Sequence, residues 1–158
     1  MVTSSAAMAE QIEMGLKGNF QTTITDYNKD NVGDIIVANV YDSSLTMYNG
    51  QTNTYSKLAM DDQPYASAVA DLNKDGYMDL VATSLTYGSV TVYWNNKNGG
   101  YTKSSYSTKG SRPNQIIVTD LDNNGYPELV IINSTSSNIS ILKNISTPTI
   151  KKFDAAIT

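Results

Sequence analysis

The feature that most limits what this chain can become is a nine-residue pattern of oxygen-bearing side chains that occurs three times. Asp26-Tyr-Asn-Lys-Asp-Asn-Val-Gly-Asp34, Asp71-Leu-Asn-Lys-Asp-Gly-Tyr-Met-Asp79 and Asp120-Leu-Asp-Asn-Asn-Gly-Tyr-Pro-Glu128 each run into an apolar stretch. The first aspartates stand 45 and 49 residues apart, the period of a repeat made of four short strands. The flanks repeat too. Thr22–Thr25, Ser67–Ala70 and Ile116–Thr119 precede the loops as β-like segments. The runs Ile35–Ala38, Leu80–Ala82 and Leu129–Ile132 follow, and short Val/Ile-rich runs bounded by turn residues read as strands buried on both faces.

Leu45–Met47, Val90–Val92 and Ile139–Ile141 alternate as half-buried strands do. A more polar fourth strand is expected at Tyr55–Leu58, Tyr101–Tyr106 and Ile150–Phe153. The expected architecture is therefore all-β, with three four-stranded propeller-type blades. Repeats fall at about 19–63, 64–110 and 111–158, within 19–158, and residues 1–18 are left as an N-terminal extension or outer strand. The spacing of Met8, Ile12 and Leu16 fits a helix, but an outer strand over 12–16 is preferred.

The loops suit a hard cation. Calcium takes six to eight oxygens from carboxylates, amides, backbone carbonyls and water. Oxygen side chains at positions 1, 3 and 5 of a curling loop point into one concavity, position 7 can add its carbonyl, and an acid at position 9 can close the shell. The first loop offers Asp26, Asn28, Asp30, Val32 and Asp34; the second Asp71, Asn73, Asp75, Tyr77 and Asp79; the third Asp120, Asp122, Asn124, Tyr126 and Glu128. Up to three Ca²⁺ per chain are expected. Position 6 calls for a left-handed residue, which Gly76 and Gly125 supply freely and Asn31 tolerates. The plainer reading, that clusters of Asp, Asn and Gly are only turns, does not account for three copies of one spacing. An EF-hand would need an acid at position 12, where Val37, Ala82 and Ile131 stand inside strands.

With these residues in view, the chain resembles the FG-GAP/VCBS family of calcium-loop β-propellers, which includes the integrin α-subunit head. The pattern at 71–81 carries the resemblance most specifically, and it extends from about residue 19 to the end. The resemblance implies that each loop joins the first two strands of a blade and that the ion rigidifies it. The FG and GAP dipeptides are missing, with Tyr87-Gly88 the nearest trace, which places the chain on the VCBS-like side.

Closed propellers need about four to eight blades, and three leave sheet edges and a face unpaired. The expected partners are therefore further copies of the chain, in a ring or filament, or further blades of a longer protein.

Composition narrows the function. The 158 residues contain neither cysteine nor histidine, which removes disulfides, thiolate metal sites and every Ser-His or Cys-His nucleophilic arrangement. A net charge of −4 with scattered lysines argues against nucleic acid. No apolar run is long enough to insert in a membrane, and residues 1–20 lack the pattern of a signal peptide. Asp61-Asp62 reads as a solvated loop, and no carboxylate pair is placed for acid and base work.

Trp94, opposite Asn49 and Lys143 in the other repeats, is expected as a half-buried aromatic at a strand end; exposed, it would offer a stacking surface. Sequons begin at Asn133, Asn138 and Asn144. The expected function is non-enzymatic: an extracellular calcium-binding module for adhesion or assembly. The alternatives are a calcium-dependent lectin using Tyr and Trp side chains, or an accessory domain of a polysaccharide-acting enzyme.

Overall fold

A computed structural model describes Met14, Leu16 and residues 18–154. The outer strand expected over 12–16 lies largely outside the described residues. The remainder is all-β, in three antiparallel sheets. The first holds β1 (Asn19–Thr25), β2 (Asp34–Asn39), β3 (Ser44–Asn49) and β4 (Thr54–Ala59) in simple meander order. The second repeats this with β5 (Pro64–Ala70), β6 (Asp79–Ser84), β7 (Ser89–Asn95) and β8 (Tyr101–Ser107). The third contains β9 (Pro113–Thr119), β10 (Glu128–Asn133) and β11 (Asn138–Leu142).

The expected twelfth strand is cut short. Thr147 and Ile150 exchange backbone hydrogen bonds of 2.8 and 3.2 Å around Pro148, which has no N–H to donate. Only Lys152–Asp154 then falls in register, giving a single bridge, Asn144 to Phe153, where Ile150–Phe153 was expected as a strand.

The sheets stack as blades. Apolar residues on both faces of the second strand make this possible: β6 is buried along its whole length. One face of β6 (Leu80, Ala82) meets Ile36, Ala38, Leu45 and Met47 of the first blade. Its other face, with Val81, joins Val90, Val92 and Trp94 against Ile116, Leu129, Ile131 and Leu142 of the third. The first strands of the blades run side by side, β5 between β1 and β9. There Thr23 Oγ1 donates to Ser67 O at 2.9 Å, and Ser67 N–H donates to Gln21 Oε1 at 3.0 Å.

Trp94 departs from its sequence-based expectation. It is 1% exposed, with its ring 5.9 Å from that of Phe153 and stacked on it, and its Nε1–H donates to Ser104 Oγ. Tyr106 meets Phe153 edge-on. The chain after β11 thus folds back to complete the core of the second blade, which a strand-by-strand alignment does not show.

Candidate metal centre

Each patterned segment connects the first strand of a blade to the second, so the three loops emerge on one side of the stack. They share one hydrogen-bond skeleton. The position-1 carboxylate accepts from the N–H groups of positions 5 and 6: Asp26 from Asp30 and Asn31, Asp71 from Asp75 and Gly76, Asp120 from Asn124 and Gly125, all at 2.8–3.1 Å. The position-3 oxygen accepts from the N–H of position 5. Position 5 accepts from the N–H of position 7, so Val32, Tyr77 and Tyr126 enter the skeleton through their backbones. Side-chain oxygens have replaced strand pairing as partners for the loop backbone.

The position-9 acid does more than line the loop. Asp34, Asp79 and Glu128 are at most 2% exposed. One oxygen accepts from the N–H of position 2: Tyr27 at 3.1 Å, Leu72 at 3.1 Å, Leu121 at 2.8 Å. The other reaches an N–H sixteen residues on, at the end of the third strand: Gly50 at 3.0 Å, Asn95 at 2.9 Å, Asn144 at 3.3 Å. The acid therefore staples loop to sheet. At Gly50 the approach is so close that a Cβ would lie 2.1 Å from Gly33 O.

Two residues per loop are left-handed. Asn31, Gly76 and Gly125 at position 6 have φ of 67°, 91° and 89°, as their residue types suggest. Lys29, Lys74 and Asn123 at position 4 also have positive φ, which nothing in a lysine signals. This alternation keeps successive N–H groups aimed inward. A Cβ at Gly76 or Gly125 would meet nothing within 4 Å, so glycine is favoured there by conformation alone.

The loops differ in how their charges converge. In the third, Asp120, Asp122 and Glu128 bring one oxygen each within 4.8 Å of one another, the one such carboxylate trio among the described residues. Two oxygens on one Ca²⁺, with bonds of 2.3–2.6 Å, stand at most about 5 Å apart. The donor set is oxygen throughout, the chemistry a hard cation needs. In the first two loops position 3 is an amide, and Asn28 and Asn73 donate through Nδ2 to the carboxylates of Asp30 and Asp75.

Lysines sit beside two of the loops. Lys97 Nζ is 3.5 Å from Asp75 Oδ2 and 5.2 Å from the centre of the Tyr77 ring. Lys143 Nζ is 3.8 Å from Asp122 Oδ2. Burial opposes ionisation of Asp75, but hydrogen bonds from Asn73 and the Tyr77 N–H, with the Lys97 charge, outweigh it and hold its carboxyl below the usual range. Asp79 goes the other way: burial pushes its carboxyl up to about 6 despite the Asn95 and Leu72 N–H groups, with the Asp75 charge adding to the rise.

Other features noted in the sequence fall elsewhere. Asp62 is a turn clamp, accepting from Ser84 Oγ and the Thr86 N–H, while Asp61 pairs with Lys103 at the surface. Asn133 and Asn144 are buried, so two of the three sequons present no accessible amide. Asn144 instead ties blades together, donating to Leu72 O and Pro127 O, both at 2.9 Å. Sequence reading noted Asn144 only as the start of a sequon, and it missed the N–H groups of Gly50 and Asn95 because a backbone donor leaves no mark on composition. No helix in the described residues is long and apolar enough to cross a membrane.

No curated protein matches the sequence. The family model described as FG-GAP-like repeat matches residues 26–82 and 71–131, overlapping windows that each begin on a position-1 aspartate and together take in all three loops. With the common loop skeleton and the stacked antiparallel sheets, this match places the chain in the FG-GAP-like repeat family.

Proposed function

We propose that this chain is an extracellular module whose three loops each hold a calcium ion, and that the ions stiffen the blades for protein contacts or assembly. The observation that carries the reading is the converging trio of Asp120, Asp122 and Glu128, on a loop skeleton repeated bond for bond in the other two. Asp26, Asn28, Asp30 and Asp34 would serve the first ion, Asp71, Asn73, Asp75 and Asp79 the second, and Asp120, Asp122, Asn124 and Glu128 the third, with the Val32, Tyr77 and Tyr126 carbonyls completing the shells. A bound ion would neutralise loop carboxylates and join positions held now only by hydrogen bonds. Extracellular modules bind calcium at about 10⁻⁴–10⁻³ M, which suits the space outside cells. Partners would be further copies of the chain or further blades of a longer protein.

The test is calorimetric titration of the chelator-stripped protein with calcium, alongside melting curves in calcium and in chelator. Binding in that range, with a higher melting temperature in calcium, is expected. Superimposable curves and no binding heat would overturn the proposal.

One observation favours a second reading, glycan binding. A cleft of about 560 Å³ between the first and second loops is lined by Tyr27, Tyr77 and Tyr101, with Lys29 and Lys97 at its sides. Tyrosine rings suit sugar faces, whereas Trp94 is buried and unavailable. A glycan array without calcium-dependent hits would remove this reading.

A further inference from the structure

Three asparagines in this chain stand directly before a glycine: Asn49, Asn98 and Asn124. Asparagine is a thermolabile residue, and a following glycine puts no side chain between its amide carbon and the next backbone nitrogen. The surroundings decide whether the two atoms can react, and the three pairs differ.

Asn49 ends β3, paired across the ladder with Thr54, and both it and Gly50 are half-buried. A Cβ at Gly50 would lie 2.1 Å from Gly33 O, so the backbone has no room to close a ring. Asn98 and Gly99 are exposed, and a Cβ at Gly99 would meet nothing within 4 Å. There the Asn98 amide oxygen accepts only a long bond of 3.3 Å from the Gly100 N–H, and among the described residues no carboxylate accepts from the Gly99 N–H.

Asn124 and Gly125, at positions 5 and 6 of the third loop, combine what the other pairs have separately. Both are exposed, and the space around Gly125 is open. The Gly125 N–H donates to Asp120 Oδ2 at 2.8 Å, so the nitrogen that must lose a proton already shares it with a base. Asn124 Oδ1 accepts from the Tyr126 N–H at 2.7 Å, a donor placed where negative charge gathers when the amide carbon is attacked. The same bond, to the residue two along, folds the side chain back beside the Gly125 peptide.

We propose that Asn124 is a site of spontaneous deamidation promoted by its own loop. The Gly125 nitrogen passes its proton to Asp120 and bonds to Asn124 Cγ. The bond from Cγ to the side-chain nitrogen breaks, and ammonia leaves with the proton that Asp120 held. Water then opens the cyclic imide at either carbonyl, so that one water is consumed and one ammonia released. Opening on one side leaves an aspartate at position 124, the Asp-Gly arrangement that Asp75-Gly76 gives the second loop. Opening on the other leaves an isoaspartate, whose extra main-chain methylene carries the Gly125 and Tyr126 N–H groups away from Asp120 and position 5.

The test is incubation of the whole chain at neutral pH, folded in chelator, folded in calcium, and unfolded in urea, with peptide mapping by mass spectrometry. In the folded, chelated protein Asn124 should convert at least about tenfold faster than Asn49 or Asn98, and faster than Asn124 does in urea. Asp120→Asn should slow it by about tenfold, a modest effect because a carboxylate is a weak base, while Asn98 keeps its rate. Asp120→Glu, which retains the carboxylate, should keep most of the rate, and Asn124→Gln should abolish the mass gain in that peptide. Conversion led by Asn98, a rate at Asn124 no greater folded than unfolded, or indifference to Asp120→Asn would each overturn the inference. Calcium should retard the reaction by drawing the Asp120 and Asn124 oxygens onto the ion. Equal conversion of Asn124 in calcium and in chelator, still ahead of the other pairs, would support the deamidation site and defeat the calcium proposal at the third loop alone.

Discussion

The second and third loops have the same backbone hydrogen bonds yet arrange their charges differently. In the second, Asp71, Asp75 and Asp79 are spaced by an amide at position 3, and Lys97 already attends Asp75. In the third, acids at positions 1, 3 and 9 converge and the amide stands at position 5. The difference shows that loop shape and charge placement are separate properties. Shape follows from any oxygen acceptor at positions 1, 3, 5 and 9, whereas convergence depends on which of those acceptors is ionised.

The largest expected effect attacks what the loops share. Glu128→Ala would strand the buried N–H groups of Leu121 and Asn144 and open a cavity, costing about 3–5 kcal/mol. Glu128→Gln, which keeps one acceptor, should cost less than half as much. Urea melts in chelator measure both, and equal losses would show that the staple is electrostatic instead.

Next comes the response to pH, which sharpens the contrast at Asp79. Its folded pKa of about 6 lies above the ordinary 3.8, so between those values the folded protein keeps a proton that the unfolded chain has lost. The stability this gives is fully present below pH 3.8 and is lost as pH rises through about 6. The swing is about 3 kcal/mol. In chelator, Asp79→Asn should therefore gain on the wild type between pH 5 and pH 7. A constant difference between the two would contradict the cause assigned here.

A smaller effect separates charge from shape in the third loop. Asp122→Asn retains an oxygen to accept the Asn124 N–H, so stability in chelator should move by less than about 0.5 kcal/mol. Calcium affinity of that loop should fall by about tenfold, as titration would show, because one of three converging charges is gone.

The smallest expected change concerns the neighbouring lysines. Lys97→Gln removes a cation 3.5 Å from Asp75 and should tighten calcium at the second loop by about threefold. Lys143→Gln, at 3.8 Å from the more exposed Asp122, should do less at the third. A decrease in affinity from either would show that the lysine shapes the loop and does not compete for it.

Much of the fold was legible before any coordinates. Three oxygen patterns at near-constant spacing, each followed by an aliphatic run, determined the repeat, the strand order within each blade and the loops' place between first and second strands. These are local properties, set by residue type and period. The position-6 turn was also legible, because glycine and asparagine are the residues that accept it.

The tertiary structure alone decided the rest. Left-handed lysines at position 4, the backbone donors that staple each position-9 acid, the burial of Trp94 under Phe153 and the single bridge in place of a twelfth strand all depend on segments distant in the chain. So does the pairing of blade faces. The sequence writes much the same aliphatic pattern on each blade, and only stacking determines which of those faces packs against which neighbour.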